Sequence, residues 1–431
     1  MNTRRVSRRG FLKRSAAAVG VTAMAPWVVP SSALGRDGAA PASDRIAMGH
    51  IGLGWFGIVD LRNFLGSRDV QNVAVCDVDA AKLQTGKALV DERYGNTDCK
   101  AYRDFRQMFE QAGLDAVSIA TPDHWHAIPT IDACRRGMDV HVEKPLTLTI
   151  REGRAMVEAA RRFGRVVQTG SEARSNSRCR LACELVRNGR LGKVKEVYVG
   201  GVGGPSRTDI LPAEPVPAEL DWDFWLGPAP WRPYNHAYHP VSWRGFYDFS
   251  GGGLTDWGAH HFDLAQWALG MDDSGPVEIH PPDGKEHKFL TYIYANGVRM
   301  YHVLGEPPPA EMLAAVTVVG TEGRLGMSYG GLAATDPPSL ALDNIRPDEV
   351  HLHRCPPGGH EVGDFLTSVR TRARPGADVE IGHRTATVCH LGGIAYRLGR
   401  PLKWDTVREE FLGDAEANRM CARAMREPWR L

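Results

Sequence analysis

Short apolar runs alternate with helix-periodic segments along the first part of the chain, from residue 44 to about residue 170. The apolar runs predict strands at 46–51, 73–76, 115–120, 139–142 and 166–169. The segments between them predict helices at 56–65, 80–94, 124–136 and 150–163. Because these strands are apolar throughout rather than alternating, the pattern predicts a parallel sheet covered by helices on both faces.

The pattern changes near Gly170. A predicted helix at 179–188 and a long strand at 193–201 lead into a loop at 203–250 that is rich in Pro and Trp. A helix at 254–269 follows, and hairpin-type turns then separate strand-like runs at 288–295, 297–304, 315–320 and 323–328. Further helices are predicted at 363–374, 382–398 and 414–425. The second half therefore predicts an α+β domain with a mainly antiparallel sheet.

The composition is that of a globular protein, with 43% hydrophobic and 24% charged residues among 431. Residues 1–35 contain six basic residues and no acidic one, which leaves 46 basic and 51 acidic residues in the remainder. A slightly acidic protein has no general electrostatic reason to bind nucleic acid or an anionic membrane. Small molecules or other protein chains are therefore the expected partners.

The N-terminus has the features of a targeting segment. Residues 7–13 read Ser-Arg-Arg-Gly-Phe-Leu-Lys, and an uncharged run from 15 to 35 with small residues near its end follows. This segment resembles a twin-arginine export signal, with an ordinary secretory signal as the alternative. The sequence predicts a signal peptide at 1–35, the twin-arginine export machinery as a partner and a periplasmic or extracellular location. The run is too short to span a membrane stably, and Pro26 and Pro30 interrupt it.

The eight cysteines form no Cys-x-x-Cys pair, and none is assigned a function. The twin-arginine route carries folded proteins, which makes a disulfide framework improbable and suits a protein that acquires a cofactor before export. No metal site is predicted.

A glycine-rich turn follows the first predicted strand and begins the first helix. Residues 52–57 read Gly-Leu-Gly-Trp-Phe-Gly, the G-x-G-x-x-G spacing of dinucleotide-binding turns. The glycines allow a tight turn, close approach of a pyrophosphate and close packing of helix on strand. The cofactor-binding residues predicted here are Gly52, Gly54, Trp55, Phe56 and Gly57. Asp77 ends the second strand, where a carboxylate accepts ribose hydroxyls and repels a 2′-phosphate, so NAD is favoured over NADP.

Two further motifs follow the next strands of the predicted sheet. Thr121-Pro122 ends one strand, and Glu143-Lys144-Pro145 follows another. Ligands of open α/β sheets bind at this edge, so Thr121, Pro122, Glu143 and Lys144 are predicted to contact the cofactor. A lysine there can act as a general acid or base or stabilise an alkoxide, and a surface lysine is the alternative.

Residues 251–263 form a second dense cluster. Asp256 and His260 are four residues apart, which places them on one face of a predicted helix, and Asp263 lies one turn further on. A histidine beside carboxylates can accept the proton of an alcohol that is being oxidised. The alternatives are a core histidine bonded to Asp256, or a metal set that includes His261, which lacks obvious further ligands.

Six of the eleven tryptophans lie within residues 222–267. Most are expected to pack the long loop onto the domain, with one or two ring edges in a pocket. The weaker substrate candidates are Glu172, Arg174, Trp243, Arg244 and His261.

In their order and spacing these motifs resemble the Gfo/Idh/MocA oxidoreductases, a family that includes glucose-fructose oxidoreductase and inositol 2-dehydrogenase. The resemblance runs from about Asp44 to the C-terminal helices. It implies an α/β protein with an N-terminal Rossmann dinucleotide-binding domain at 44–167. A C-terminal α+β substrate and oligomerisation domain with an open, mainly antiparallel sheet would follow at 168–431, so a homo-oligomer is expected.

The resemblance also implies a catalytic trio of Lys144, Asp256 and His260. His260 would take the hydroxyl proton, Lys144 would bond the same oxygen, and Asp256 would bind a substrate hydroxyl or orient His260. The predicted activity is hydride transfer between NAD and a sugar, cyclitol or derivative. Because free NAD is scarce outside the cytoplasm, the cofactor is expected to stay bound. The alternatives are an NAD-dependent glycoside hydrolase that works by transient oxidation and elimination, and a nucleotide-binding scaffold without chemistry.

Overall fold

The computed structural model describes residues 41, 44–240, 242–342, 344–356 and 360–431. The predicted signal peptide at 1–35 lies outside these residues. Within the described ranges, no helix is long and apolar enough to cross a membrane. Residues Ile46–Leu431 form one compact unit.

The first part of the described chain forms a six-stranded, wholly parallel sheet in the order β3-β2-β1-β4-β5-β6. Its strands are β1 (Ile46–Ile51), β2 (Val70–Cys76), β3 (Lys100–Tyr102), β4 (Ala116–Ile119), β5 (Asp139–Glu143) and β6 (Val167–Gly170). The intervening helices are α1 (Trp55–Leu65), α2 (Ala80–Tyr94), α3 (Phe105–Gln111), α4 (Ala127–Arg135) and α5 (Ile150–Phe163). This strand order is that of the Rossmann fold, so the predicted fold class is confirmed.

Two of these elements were not predicted, and one predicted helix is divided. Strand β3 has only three residues and is mostly exposed, so no apolar run indicates it. Helix α3, which follows, has seven residues and is too short to show a clear helical periodicity of apolar residues. The predicted helix at 124–136 is a 3₁₀ turn at Asp123–Trp125 followed by α4. The polar residues of that turn are thereby left at the sheet edge.

The second part of the described chain contains a nine-stranded sheet in the order β13-β12-β11-β7-β10-β9-β8-β14-β15. Its strands are β7 (Val194–Val199), β8 (Glu278–His280), β9 (Leu290–Ile293), β10 (Arg299–His302), β11 (Val316–Gly320), β12 (Arg324–Ser328), β13 (Gly331–Asp336), β14 (Leu402–Asp405) and β15 (Glu410–Phe411). Strands β7 and β10 pair in parallel, and the other neighbours are antiparallel. The predicted open, mainly antiparallel sheet is confirmed.

The helices of this part are α6 (Ser177–Arg187), α7 (Trp222–Leu226), α8 (Gly258–Leu269), α9 (Glu361–Thr371), α10 (Val379–Leu398) and α11 (Ala415–Arg419). Strands β8, β13, β14 and β15 were not predicted, because each is short or lacks a continuous apolar run. The helix predicted at 414–425 is wrong beyond Arg419, where the chain turns.

The helix predicted at 254–269 begins four residues later, at Gly258. Gly252 has a φ of +82°, and a Cβ there would lie 2.4 Å from the Ser206 amide nitrogen. The glycine run is therefore a tight turn packed on a neighbouring strand-like segment, and it delays the helix. Asp256 consequently precedes α8, whereas His260 lies in its first turn.

Helix α9 belongs by sequence to the second part but packs on the first sheet. Val362 and Phe365 join a core cluster with Met48 of β1, Phe64 of α1 and Ala116 of β4. At its start, the Glu361 carboxylate accepts a hydrogen bond from His141 Nε2 in β5 at 3.0 Å. The first domain's core is thus completed by residues that lie more than 200 positions further along the chain.

Candidate active site

The three glycines of the turn after β1 differ in how much space surrounds them. A Cβ on Gly57 would lie 1.9 Å from the Gly52 carbonyl oxygen, and one on Gly52 would lie 2.6 Å from the Ala120 carbonyl oxygen. A Cβ on Gly54, by contrast, would meet nothing within 4 Å. Gly52 and Gly57 are therefore required by packing, and Gly54 leaves its backbone open to the cleft.

This turn lines a cleft of about 420 Å³ at the carboxyl ends of the parallel strands. Its walls include predicted cofactor-binding residues that are far apart in sequence. These are Gly52, Gly54, Trp55, Phe56, Asp77, Thr121, Pro122, Glu143 and Lys144. Gly57 lies under the turn instead, where it is buried against Gly52.

Asp77 directly follows β2 and lines the cleft. Its carboxylate accepts hydrogen bonds from the amides of Leu53 at 2.6 Å and Asp79 at 2.9 Å. Burial raises the pKa of Asp77, although these backbone donors oppose the shift. The two amides fix the carboxylate beside the glycine turn, where a nucleotide ribose lies in this fold.

The Trp-rich loop also contributes to the walls of the cleft. Phe224, Trp225, His239 and Trp243 line it. Most other aromatic residues of the loop form their own buried cluster, as the sequence predicts. The Trp125 indole N–H donates to the Trp225 carbonyl oxygen at 2.9 Å, which joins the loop to the first domain.

Lys144 and Asp256 meet where the first sheet faces the glycine run. The Lys144 ammonium donates to Asp256 Oδ1 at 2.7 Å, and only 9% of the lysine side chain is exposed. Burial alone would raise the pKa of Asp256, but Lys144 and then Arg244, whose Nε lies 3.4 Å away, lower it below its ordinary value. The Asp256 carboxylate therefore stays ionised and holds the Lys144 ammonium at the cleft.

His260 lies in the first turn of α8, close enough to Lys144 and Asp256 to feel their charges, but it is not among the described residues that line the cleft. Burial and then the charge of Lys144 lower the pKa of His260 to about 3, so the imidazole is neutral at physiological pH. Its Nδ1 has no hydrogen-bond partner among the described residues, and Glu172 Oε2 lies 3.8 Å from it. The Tyr329 ring packs edge-on against the imidazole, with ring centroids 5.0 Å apart. A neutral, unpartnered and buried imidazole can accept a proton.

Four carboxyl groups lie near one another, and one of them, Glu143, also lies near Lys144: Asp60, Glu143, Glu172 and Glu361. Burial and the neighbouring carboxylates raise the pKa of Glu143, and burial raises that of Asp60 to about 6. These shifts favour the protonated forms, because low-polarity surroundings and like charges both penalise ionisation.

The weaker substrate candidates separate into two groups. Trp243 and Arg244 line the cleft, and Glu172 faces His260. Arg174 does not line the cleft: its buried guanidinium is paired with Asp263 at 2.8 Å and with Asp272 at 2.7 Å. His261 Nδ1 donates to the Gly200 carbonyl oxygen at 2.8 Å and is likewise turned away from the cleft.

The structure also brings to the site residues outside the predicted set. Asp123 lines the cleft, and burial raises its pKa to about 7. Lys82 and Arg103 also line it, while Tyr329 reaches His260 from the β12–β13 turn. The Asp123 position directly after Thr121-Pro122 was a usable signal, whereas nothing local to Tyr329 marks it.

The residues present fit a dinucleotide. Two buried oxygens at the cleft, Thr121 Oγ1 and Glu143 Oε1, have no hydrogen-bond partner among the described residues. They are suited to the hydroxyl and amide groups of such a cofactor, and Gly54 leaves its backbone accessible. The N-terminus of α1 faces the same space, where its amides favour phosphate.

Two family profiles match the chain over most of its length. The family profile described as the NAD-binding Rossmann fold of the oxidoreductase family GFO_IDH_MocA matches residues 46–171. The profile of that family's C-terminal alpha/beta domain matches residues 183–431. The chain belongs to the Gfo/Idh/MocA oxidoreductase family. The predicted resemblance is thereby confirmed, and the first domain of this family member is an NAD-binding Rossmann domain.

The curated relatives of this Gfo/Idh/MocA protein are distant. Myo-inositol 2-dehydrogenase of Thermotoga maritima is 26% identical over 225 residues, covering 52% of this chain and 55% of the relative. Glycosyl hydrolase family 109 protein 1 of Shewanella sp. strain MR-4 is 26% identical over 203 residues, covering 44% of each chain. The chain spans about half the length of the curated relatives it matches.

Solved structures share the fold of the family member over a longer range. The WlbA dehydrogenase from Bordetella pertussis, crystallised with NADH and UDP-GlcNAcA, has a TM-score of 0.58 and 18% identity. The likeness covers 84% of this chain and 99% of that one.

Proposed function

We propose that this chain is an NAD(P)-dependent oxidoreductase that transfers hydride between NAD and a hydroxyl-bearing carbon of a sugar, cyclitol or derivative. The observation that carries the proposal is the Lys144–Asp256 pair at the edge of the nucleotide cleft, with the neutral His260 beside it. The Gfo/Idh/MocA membership and a curated relative named myo-inositol 2-dehydrogenase support the substrate class.

NAD, when bound, supplies the hydride acceptor. Lys144 donates a hydrogen bond to the substrate oxygen and stabilises the charge that develops on it. His260 accepts the hydroxyl proton. The resulting imidazolium gains a partner in Glu172, 3.8 Å from Nδ1, which offsets the low proton affinity of the buried ring. Asp256 holds Lys144 in place and remains available to bond a neighbouring substrate hydroxyl.

The test is a screen of sugars and cyclitols against the purified protein, with nicotinamide absorbance and products measured together. His260→Ala should lower turnover about 10²–10⁴-fold while nucleotide binding is retained. A matched control is His261→Ala, which alters a histidine that bonds the Gly200 carbonyl outside the cleft. Equal loss in both variants would count against a catalytic role of His260.

A second candidate is an NAD-dependent glycoside hydrolase that works by transient oxidation and elimination. The observation in its favour is the similarity to proteins named glycosyl hydrolase family 109. Release of aglycone from a nitrophenyl glycoside without net NADH formation would select this candidate. Stoichiometric NADH formation with an intact substrate skeleton would select the dehydrogenase.

We propose further that the protein prefers NAD to NADP. Asp77 places a carboxylate at the ribose end of the cleft, where it would repel a 2′-phosphate. The cations nearby are already engaged, since Lys82 Nζ lies 3.2 Å from His239 Nε2 and Arg103 donates to the Val78 carbonyl at 2.8 Å. The test is the ratio of the two affinities in wild type and Asp77→Ala, and equal or tighter NADP binding by wild type would refute the preference.

We also propose that the cofactor stays bound between turnovers. The loop that carries Trp225 is fixed to the first domain by the Ala80 amide, which donates to the Glu219 carbonyl at 3.0 Å, and by the Asp221 amide, which donates to the Val78 carbonyl at 3.1 Å. Such a wall restricts nucleotide exit. After exhaustive dialysis, nucleotide released on denaturation should approach one per chain, and an activity that depends strictly on added NAD would refute retention.

Export by the twin-arginine route to the periplasm or exterior, and a homo-oligomeric state, complete the proposal. Lys at both Arg8 and Arg9 should retain the precursor in the cytoplasm, because the receptor reads the arginine pair itself. Undiminished export of that variant would refute the signal.

Light scattering of the purified protein tests the proposed homo-oligomer, and a monomer mass of 47.3 kDa or less would refute it.

A further inference from the structure

Outside the cleft, three metal-ligating side chains converge between a surface segment and helix α9. His353, Cys355 and Asp364 each offer one donor atom, and these three atoms all lie within 4.8 Å of one another. Among the residues that the structure describes, no other group of three or more His, Cys, Asp or Glu side chains meets this condition. The cluster brings together one nitrogen, one sulfur and one oxygen donor.

The buried member of the cluster is held in a fixed position. Asp364 is 3% exposed, and its Oδ2 accepts a hydrogen bond from the Gly376 amide at 2.8 Å. Its other oxygen accepts from His353 Nε2 at 2.7 Å. A Cβ on Gly376 would lie 2.6 Å from His353 Cδ2, so the space for the imidazole depends on a glycine at this position.

The segment that carries the other two ligands is anchored as well. The Leu352 amide donates to Glu184 Oε1 and the Val350 amide to Asn188 Oδ1, both at 2.9 Å. These contacts tie the segment to the last turn of α6 and the residue after it. Support of this kind orients ligands before an ion binds and is typical of built metal sites.

The donor set favours zinc among the common divalent ions. Mg²⁺ and Ca²⁺ prefer oxygen ligands, whereas Zn²⁺ binds imidazole nitrogen, thiolate sulfur and carboxylate oxygen in a tetrahedral arrangement. Bond lengths of about 2.0–2.3 Å separate such ligand atoms by roughly 3.4 Å. His353 Nε2 and Asp364 Oδ1 are 2.7 Å apart, so they need to separate by less than about 1 Å to admit the ion. The side chain of His353 is 40% exposed, which leaves room for this movement.

We propose that His353, Cys355 and Asp364 bind one Zn²⁺ ion, with water in the fourth position. The ion joins the 350–356 segment to the first turn of α9. That turn also carries Glu361, whose carboxylate accepts from His141 and whose carbonyl accepts from Gln168 Nε2 at 2.9 Å. Zinc therefore stabilises the docking of α9 on the parallel sheet. Its role is structural, and it does not depend on the proposed dehydrogenase activity.

The experiment uses the full-length, tag-free protein with its nucleotide, after treatment with a chelator and gel filtration. Zinc titrated by calorimetry should bind at one equivalent per chain and raise Tm. Co²⁺ in its place should give a thiolate-to-metal charge-transfer band in the near ultraviolet. Cys355→Ser should abolish that band and weaken zinc binding at least about tenfold, since thiolate is the strongest ligand of the set.

The matched control is His351→Asn, which removes a nearby exposed histidine whose Nε2 donates to the Arg346 carbonyl instead. It should leave zinc binding unchanged. Three results would each overturn the site: no one-to-one zinc binding, a Co²⁺ spectrum without the thiolate band, or equal zinc affinity in Cys355→Ser and wild type. The cluster would then be an ion pair between His353 and Asp364. Because Cys355 is only half-buried, its serine variant should fold even if an Asp364 variant does not.

Discussion

Lys144 and Asp256 form an ion pair of 2.7 Å across 112 residues of sequence. Lys144 directly follows β5 of the first sheet. Asp256 lies just before α8, and His260 is in the first turn of that helix. This contact joins the nucleotide-binding half of the chain to the half that the family profile assigns to its C-terminal domain.

The ion pair should act as a unit in catalysis. Lys144→Met and Asp256→Asn are each expected to lower turnover about 10²–10⁴-fold, because one removes the donor to the substrate oxygen and the other releases it. The double variant should be no slower than Lys144→Met alone, since both changes remove the same interaction. Steady-state kinetics with protein of verified nucleotide content measures this. Multiplicative losses in the double variant would contradict the coupling.

The glycine turn offers a matched pair of substitutions. Gly57→Ala should lower Tm and nucleotide binding together, because its Cβ would lie 1.9 Å from the Gly52 carbonyl oxygen. Gly54→Ala should keep Tm, since its φ of −66° suits alanine and its Cβ meets nothing within 4 Å. It should still lower NAD affinity at least about tenfold, because the methyl group enters the space of the pyrophosphate. The idea fails if Gly54→Ala binds NAD as wild type does.

The two arginines selected from the sequence should respond differently to substitution. Arg174→Met leaves the buried Asp263 without its cationic partner and should cost about 3–5 kcal/mol of stability. Arg244→Met should leave Tm nearly unchanged and raise KM about tenfold, if its guanidinium bonds the substrate beside Asp256. Thermal unfolding and KM are measured on both variants. A KM effect confined to Arg174→Met would reverse the assignment.

The pH dependence of alcohol oxidation should reflect the low proton affinity of His260. Its pKa is lowered to about 3, so the imidazole remains a neutral base as the pH falls through 6.5. The contribution of His260 to kcat/KM should therefore stay level from pH 8 to about 5 and decrease only toward pH 3. An acidic limb near pH 6.5 that disappears in His260→Gln would show that the ring titrates normally.

Glu152 should make stability depend on pH in the opposite sense to an ordinary salt-bridged carboxylate. Burial raises its pKa to about 7 from a usual 4.5, so the folded state binds the proton more tightly than the unfolded state. The stabilisation is complete below about pH 4.5 and is lost as the pH rises through 7, amounting to about 3 kcal/mol. Between pH 5 and pH 8, Tm of wild type should therefore fall relative to Glu152→Gln. A constant difference in Tm would refute the shift.

Much of the first domain could be predicted from the sequence, because its signals are local. The helix at 80–94 is observed with the same bounds, bounded by the Asp79 cap and by Gly95 in the left-handed conformation. The glycine turn, Asp77 and the residues after β4 and β5 were found because parallel strands bring their carboxyl ends to one edge. Strand β3, with three mostly exposed residues, gave no such signal.

The sequence by itself determined the order of strands and helices, the dinucleotide turn and the set of chemically suited residues, since each depends on spacing within one element or turn. Only the tertiary structure decided which of those residues meet. Arg174 was near the expected cleft in sequence, yet it binds Asp263, and α9 completes the core of a sheet that ends almost 200 residues before it. Hydrophobic periodicity indicates which face of a helix or strand is buried. Which other element packs against that face depends on packing across the whole chain.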